Sequence, residues 1–117
     1  MNEGKMVFAQ LMEFASFHVF KYCEKRYNGN YKVKEFTCWK QFLCMSFGQL
    51  THRESLSDTA LCLKLHSDKL YHLGIGRPFD KSTISRANEN RDWRIYRDFA
   101  LKLIENGLVM EVIEKIN

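Results

Sequence analysis

Residues 80–100 read DKSTISRANENRDWRIYRDFA. Asp80 or Ser82 opens a helix after the turn-forming run Gly74-Ile75-Gly76-Arg77-Pro78. Ile84 and Ala87, three residues apart, give that helix one apolar edge, and Thr83, Ser85, Arg86 and Glu89 point the other way. Asp92 is placed to start a second helix, whose stripe is expected to be Trp93, Tyr96, Phe99 and Leu103 with Ala100 beside them. A short polar helix running into an arginine-rich amphipathic one is how the second half of a helix-turn-helix reads. It sets the fold class as all-α.

The rest of the chain agrees. One proline and six glycines in 117 residues leave long uninterrupted runs, which disfavours a turn-dense β-fold. At 45% hydrophobic and 14% aromatic, the chain can bury a core as one domain, 1–117, and is not a disordered tail. Lys5 to Tyr27 has helical spacing: Val7, Phe8, Leu11, Met12 and Phe14, then a segment capped by Ser16 with Phe17, Phe20, Cys23 and Tyr27 on one stripe. Asn28-Gly29-Asn30 is a turn, and Tyr31 to Phe36 an extended connector. Thr37 caps a buried helix carrying Trp39, Phe42, Leu43, Met45, Ser46 and Leu50 and ending near Thr51. Ser55 caps the next, with Leu56, Ala60, Leu63 and Cys62 inward and Asp58 in its first turn. Asp68 to Leu73 adds a short turn stopped by Gly74, and Gly107 either ends or weakens the last helix. The expectation is a compact bundle of five to seven helices with a helix-turn-helix-like C-terminal half. Trp39, Phe42, Trp93, Tyr96 and Phe99 are expected to share one core.

The net charge is +4, and its distribution says more than its sum. Between Arg77 and Arg97 lie six basic and three acidic residues, whereas the last fifteen residues are net negative. A helix of polar, unbulky residues fits a DNA major groove, and side chains near its N-terminus reach base edges. Lys81, Ser82, Thr83, Ser85 and Arg86 suit that position, and Arg91, Arg94 and Arg97 suit the phosphate backbone. An ordinary capped surface helix carries the same residue types. The run from Gly74 to Asp80 is also longer than a tight helix-turn-helix turn. Tyr31, Phe36 and Tyr71 are aromatic candidates for base stacking, although Leu70 and Leu73 beside Tyr71 suggest packing for it.

Other chemistry finds no support in the residues. Cys23, Cys38, Cys44 and Cys62 show no CxxC spacing and do not pair with the histidines at zinc-finger spacing. Their apolar neighbours mark them as reduced, buried thiols of a cytoplasmic protein. No metal and no cofactor is expected. GIG at 74–76 lacks the GK or GxxG of a phosphate loop, and nothing marks a nucleophile elbow. No apolar run reaches membrane-span length, and the N-terminus is too mixed for a signal peptide.

Four stretches carry a resemblance: MVFAQLMEF, FTCWKQFLCMSFGQLTHRESL, KLYHLG and STISRANENRDWRIYRDFA. In this order they resemble the N-terminal domain of bacterial insertion-sequence transposases of the insertion-sequence-four type, from about Lys5 to Leu103. The most specific parts are Thr37-Cys38-Trp39 with Gln41-Phe42, then Gln49-Leu50-Thr51 with Arg53-Glu54-Ser55-Leu56 and Asp58, and then Ala87-Asn88 with Arg91-Asp92-Trp93-Arg94-Ile95-Tyr96. Ser57 stands where the pattern leads one to expect a basic residue, and Thr59-Ala60 replace an apolar-acidic pair. The resemblance implies a helical domain that binds double-stranded DNA at an element's terminal inverted repeats. In that family a catalytic domain with a DDE carboxylate triad and two divalent metals follows. These 117 residues are expected to contain no such domain and to be no enzyme alone. The alternative is a protein-interaction module that dimerises, or that docks on the catalytic domain and inhibits it. The apolar tail residues Leu108, Val109, Met110, Val112 and Ile113 would suit such docking.

Overall fold

The computed structural model describes residues 17–51 and 53–116, and of residues 50, 107–114 and 116 the backbone only. The sequence readings over Lys5–Phe14, at Ser16 and on the tail side chains Leu108 to Ile113 lie outside the described residues. Within them the protein is all-helical: α1 (Phe17–Arg26), α2 (Cys38–Leu50), α3 (Leu56–Leu65), a 3-10 turn (Ser67–Lys69), α4 (Lys81–Asn90) and α5 (Trp93–Ile116). No helix among the described residues is long and apolar enough to cross a membrane.

Local chemistry sets the starts of these helices. Thr37, Ser55 and Asp80 all have extended backbone, and their side-chain oxygens accept from the amides of Lys40, Asp58 and Thr83 at 3.2, 3.1 and 2.9 Å. Each cap satisfies an amide that the first helical turn leaves without a partner. Arg91 and Asp92 alone separate α4 from α5, and Asp92 accepts from the Arg94 amide at 3.0 Å. Helix α5 runs straight through Gly107.

Two hydrophobic clusters share α2. The larger joins α2, α3 and α4 through Leu43, Phe47, Leu63 and Ile84, with Leu70, Ile75 and Phe79 supplied by the segment between α3 and α4. The smaller joins α1, α2 and α5 through Phe20, Cys23, Cys38, Ile95 and Phe99. Trp39 and Phe42 pack against both. Phe20 meets Phe99 edge-on at 5.1 Å, and aromatic contacts of this kind contribute about 0.5–1.5 kcal/mol beyond burial. All four cysteines are free and buried, as their neighbours foretell. Burial pushes the Cys44 thiol up to about 12.

Two close approaches lock the helices. A Cβ on Gly48 would sit 2.5 Å from Thr59 Oγ1, so α2 and α3 touch nearly backbone to side-chain stem there. That contact gives the buried Thr59 a packing role. A Cβ on Gly29 would sit 2.5 Å from Ile95 Cδ1 and 2.8 Å from Cys38 Sγ, which seats the turn after α1 against α5.

The structure corrects the expected phase of α5. Trp93 is 66% exposed and Ala100 is exposed, while Ile95 is fully buried and Phe99 nearly so. The inward stripe is Ile95, Phe99 and Leu103 with Tyr96 beside it. Trp39, Phe42, Tyr96 and Phe99 do share a cluster, but Trp93 is not in it. Trp93 instead lies under the Arg97 guanidinium, 5.0 Å from the ring centroid. Tyr71 is also exposed, at 78%, while its neighbour Leu70 takes the buried place.

Candidate nucleic-acid interface

Helix α4 stands on the protein by one edge. Ile84 is fully buried and Ala87 nearly so. Opposite them Lys81, Ser82, Arg86, Glu89 and Asn90 are exposed, and Thr83 and Ser85 are half-buried. Arg86 folds back along the helix, its Nε donating to the Ser82 carbonyl at 3.4 Å. Asp80 is held below the usual carboxylate range by the Thr83 amide and hydroxyl, so the cap stays ionised.

The three arginines beyond α4 behave differently. The Arg91 guanidinium turns inward: one nitrogen donates to Gln41 Oε1 at 3.1 Å, another to the Phe36 carbonyl, and its plane lies 5.5 Å from the Phe36 ring centroid. Gln41 is itself buried. Its Oε1 also accepts from the Tyr96 hydroxyl at 2.5 Å, and its Nε2 donates to Asn88 Oδ1 at 2.7 Å. This network ties α2, α4, α5 and the connector after α1 together, and burial pushes the Tyr96 phenol up. Arg94 pairs with Asp92 at 2.7 Å and lies 4.5 Å from the Tyr27 ring centroid. Arg97 pairs with Asp98 at 2.8 Å. Asp98 also accepts from the Tyr27 hydroxyl at 2.6 Å, and the hydroxyl and then Arg97 hold its carboxyl low.

Of the residues that sequence assigned to DNA, Lys81, Ser82 and Arg86 therefore share one open face. Thr83 and Ser85 flank it, Arg94 and Arg97 are exposed but paired, and Arg91 is a clamp. The sequence reading missed Lys32 and Lys34. They line a cleft of about 680 Å³ together with Thr83, Arg86, Ala87 and Arg91. Their alternation with Val33 in a short connector was the available signal, but it did not say which helix they face. Phe36, a candidate stacking residue, is buried against Phe79 with ring centroids 4.6 Å apart.

A second depression, about 520 Å³, opens beside Phe42, Met45, Ser46, Gln49 and Tyr96. It is largely apolar, and the polar groups of Gln41 at its base are already partnered by Asn88, Arg91 and Tyr96. No group of three His, Cys, Asp or Glu side chains is placed to hold a metal ion among the described residues.

Fold and surface together define an all-α domain with a basic, solvent-facing helix beside a basic cleft. Residues 3–76 match the family described as a domain of unknown function (DUF4372), and the chain belongs to that family. The match takes in α1, the connector, α2 and α3, and α4 and α5 follow it. Neither a curated protein nor a solved structure shows significant similarity to the chain.

Proposed function

We propose that this chain is the DNA-binding domain of a DDE-type transposase, recognising the terminal inverted repeats of an insertion sequence and performing no chemistry on its own. The observation that carries the reading is the outward face of α4. It is short and polar, it is anchored by Ile84 and Ala87 with Asn88 bonded to Gln41, and it presents Lys81, Ser82 and Arg86 together within its first six residues. That is the part of a groove-bound helix that meets base edges. The resemblance to insertion-sequence-four-type transposases over the same residues supports it. The two-residue link to α5 supports it too, since the first turns of α5, packed through Ile95 and Phe99, then constrain the angle of α4.

The interaction-module reading has its own observation. Leu101 and Ile104 on α5 are 57% and 58% exposed, on the side of Trp93 and Arg97. Exposed apolar residues in one stripe mark contact surfaces.

The separating experiment is a binding titration against a duplex carrying the element's terminal repeat and against a scrambled duplex, each at two salt concentrations. The DNA reading expects tighter binding to the terminal duplex at both salts. Equal, weak binding to both duplexes, with concentration-dependent self-association of the protein, would replace it with the interaction module.

A further inference from the structure

The cleft beside α4 has two walls, and only one belongs to the helix. The other is the connector, and no carboxylate among the described residues pairs with its cations, although the Lys32 ammonium lies 5.4 Å from the Tyr31 ring centroid. Lys32 and Lys34 are both exposed, and neither forms an ion pair among the described residues. Arg86 adds a third cation to the cleft, the inward-turned Arg91 closes its base, and no carboxylate lines it. The nearest acidic residue in sequence, Glu35, is engaged by Arg77. Thr83 and Ala87 place small side chains on the α4 wall, leaving room for a ligand's backbone to approach.

The connector is built to hold this position. The Asn30 amide donates to Glu24 Oε1 at 2.8 Å, and Asn30 Oδ1 accepts from the Cys38 amide at 2.9 Å. Tyr31 and Val33 amides bond back to the Asn28 and Asn30 carbonyls at 3.1 and 3.0 Å. Lys32 itself sits at φ +58°, a left-handed conformation that non-glycine residues adopt only when their surroundings impose it. Arg91 then bonds the Phe36 carbonyl, fixing the connector to the α2–α4–α5 network. Two lysines held across from an arginine, without a carboxylate to neutralise them, suit a polyanion. Lysine contributes a point charge without orientation, which fits phosphate positioning rather than base reading.

Resting on the reading of α4 as the DNA-facing helix, we infer that this cleft seats the phosphodiester backbone of the bound duplex, with Lys32 and Lys34 as phosphate contacts on the wall opposite Arg86. The test is fluorescence anisotropy over a salt series on two probes, a terminal-repeat duplex and a random-sequence duplex. The variant is Lys32→Asn with Lys34→Ala, because asparagine accepts the left-handed backbone that alanine resists. A charge-matched control, Lys21→Ala with Lys102→Ala, removes two exposed lysines that do not line the cleft. Unchanged thermal melting shows that both variants fold.

The cleft variant is expected to lower the salt slope by about two on both probes, and its preference for the terminal duplex should stay unchanged. Over a fourfold rise in salt, its affinity should then fall roughly tenfold less than the wild type's. An unchanged slope, or an equal drop in the control, overturns the cleft while terminal-repeat preference keeps the α4 reading alive. A slope lost on both probes with no terminal preference in the wild type keeps the cleft and removes the α4 reading. Binding of neither duplex by the wild type removes both.

Discussion

Helix α4 and the opening turns of α5 look alike in sequence and do opposite work. Both are basic and both begin on an aspartate. On α4 the charges are open: Lys81 makes no ion pair among the described residues, and Arg86 reaches no further than its own helix. On α5 and the link before it every arginine has an internal partner: Gln41 and the Phe36 carbonyl for Arg91, Asp92 for Arg94, Asp98 for Arg97. A run of positive charge is thus two things, a surface offered to a ligand and a set of braces that orient it. The difference lies in the partners. Acceptors come from α2, the connector, the link and α5 itself, and none of them bonds Lys81 or Arg86 among the described residues.

The largest expected effect comes from breaking a brace. Arg91→Ala removes the donors to Gln41 and the Phe36 carbonyl, and the half-buried site should lose about 2 kcal/mol in urea denaturation. Arg91→Lys should recover only part of it, since one ammonium cannot reproduce the forked contacts. Full stability in Arg91→Ala would erase the contrast between the two helices.

Arg86→Ala should leave stability within about 0.5 kcal/mol, as an exposed side chain without a distant partner. On the terminal-repeat duplex it should cost about 1–3 kcal/mol of binding, with little loss on random DNA, if Arg86 pairs with a base edge. A melting temperature that falls with Arg86→Ala while binding holds would make α4 another brace.

The smallest effect sharpens the comparison through pH. The Arg94 guanidinium, and after it the Arg94 amide, hold the Asp92 carboxyl at about 2 against an ordinary 3.8. A carboxyl depressed on folding stabilises above its ordinary value, and the contribution disappears as pH falls from there toward 2. Asp92→Asn should therefore lower stability slightly at pH 7 in about 0.15 M salt, where an exposed pair is screened, and that small deficit should close as pH falls from about 4 to about 2. An acid limb identical in Asp92→Asn and wild type would mean that this pair braces nothing.

The sequence by itself determined what is local. The three caps at Thr37, Ser55 and Asp80 were readable because each bond spans three residues. The inward edge of α4 was readable because Ile84 and Ala87 are its only two apolar positions apart from the polar ring around them. The buried cysteines followed from their apolar neighbours. The tertiary structure alone decided the phase of α5. Trp93, Ile95, Tyr96 and Phe99 supply apolar groups on more than one side of the helix, so periodicity admits two stripes. The inner one is chosen by Phe20, Cys38 and the Gly29 turn, which Ile95 fits and an indole would not. It also decided the direction of Arg91, whose acceptors lie about fifty positions earlier in the chain. The placing of Lys32 and Lys34 opposite α4 has the same origin. Contacts between distant segments depend on how helices stack, and stacking is set by the summed burial of all their faces rather than by the residues at any one site.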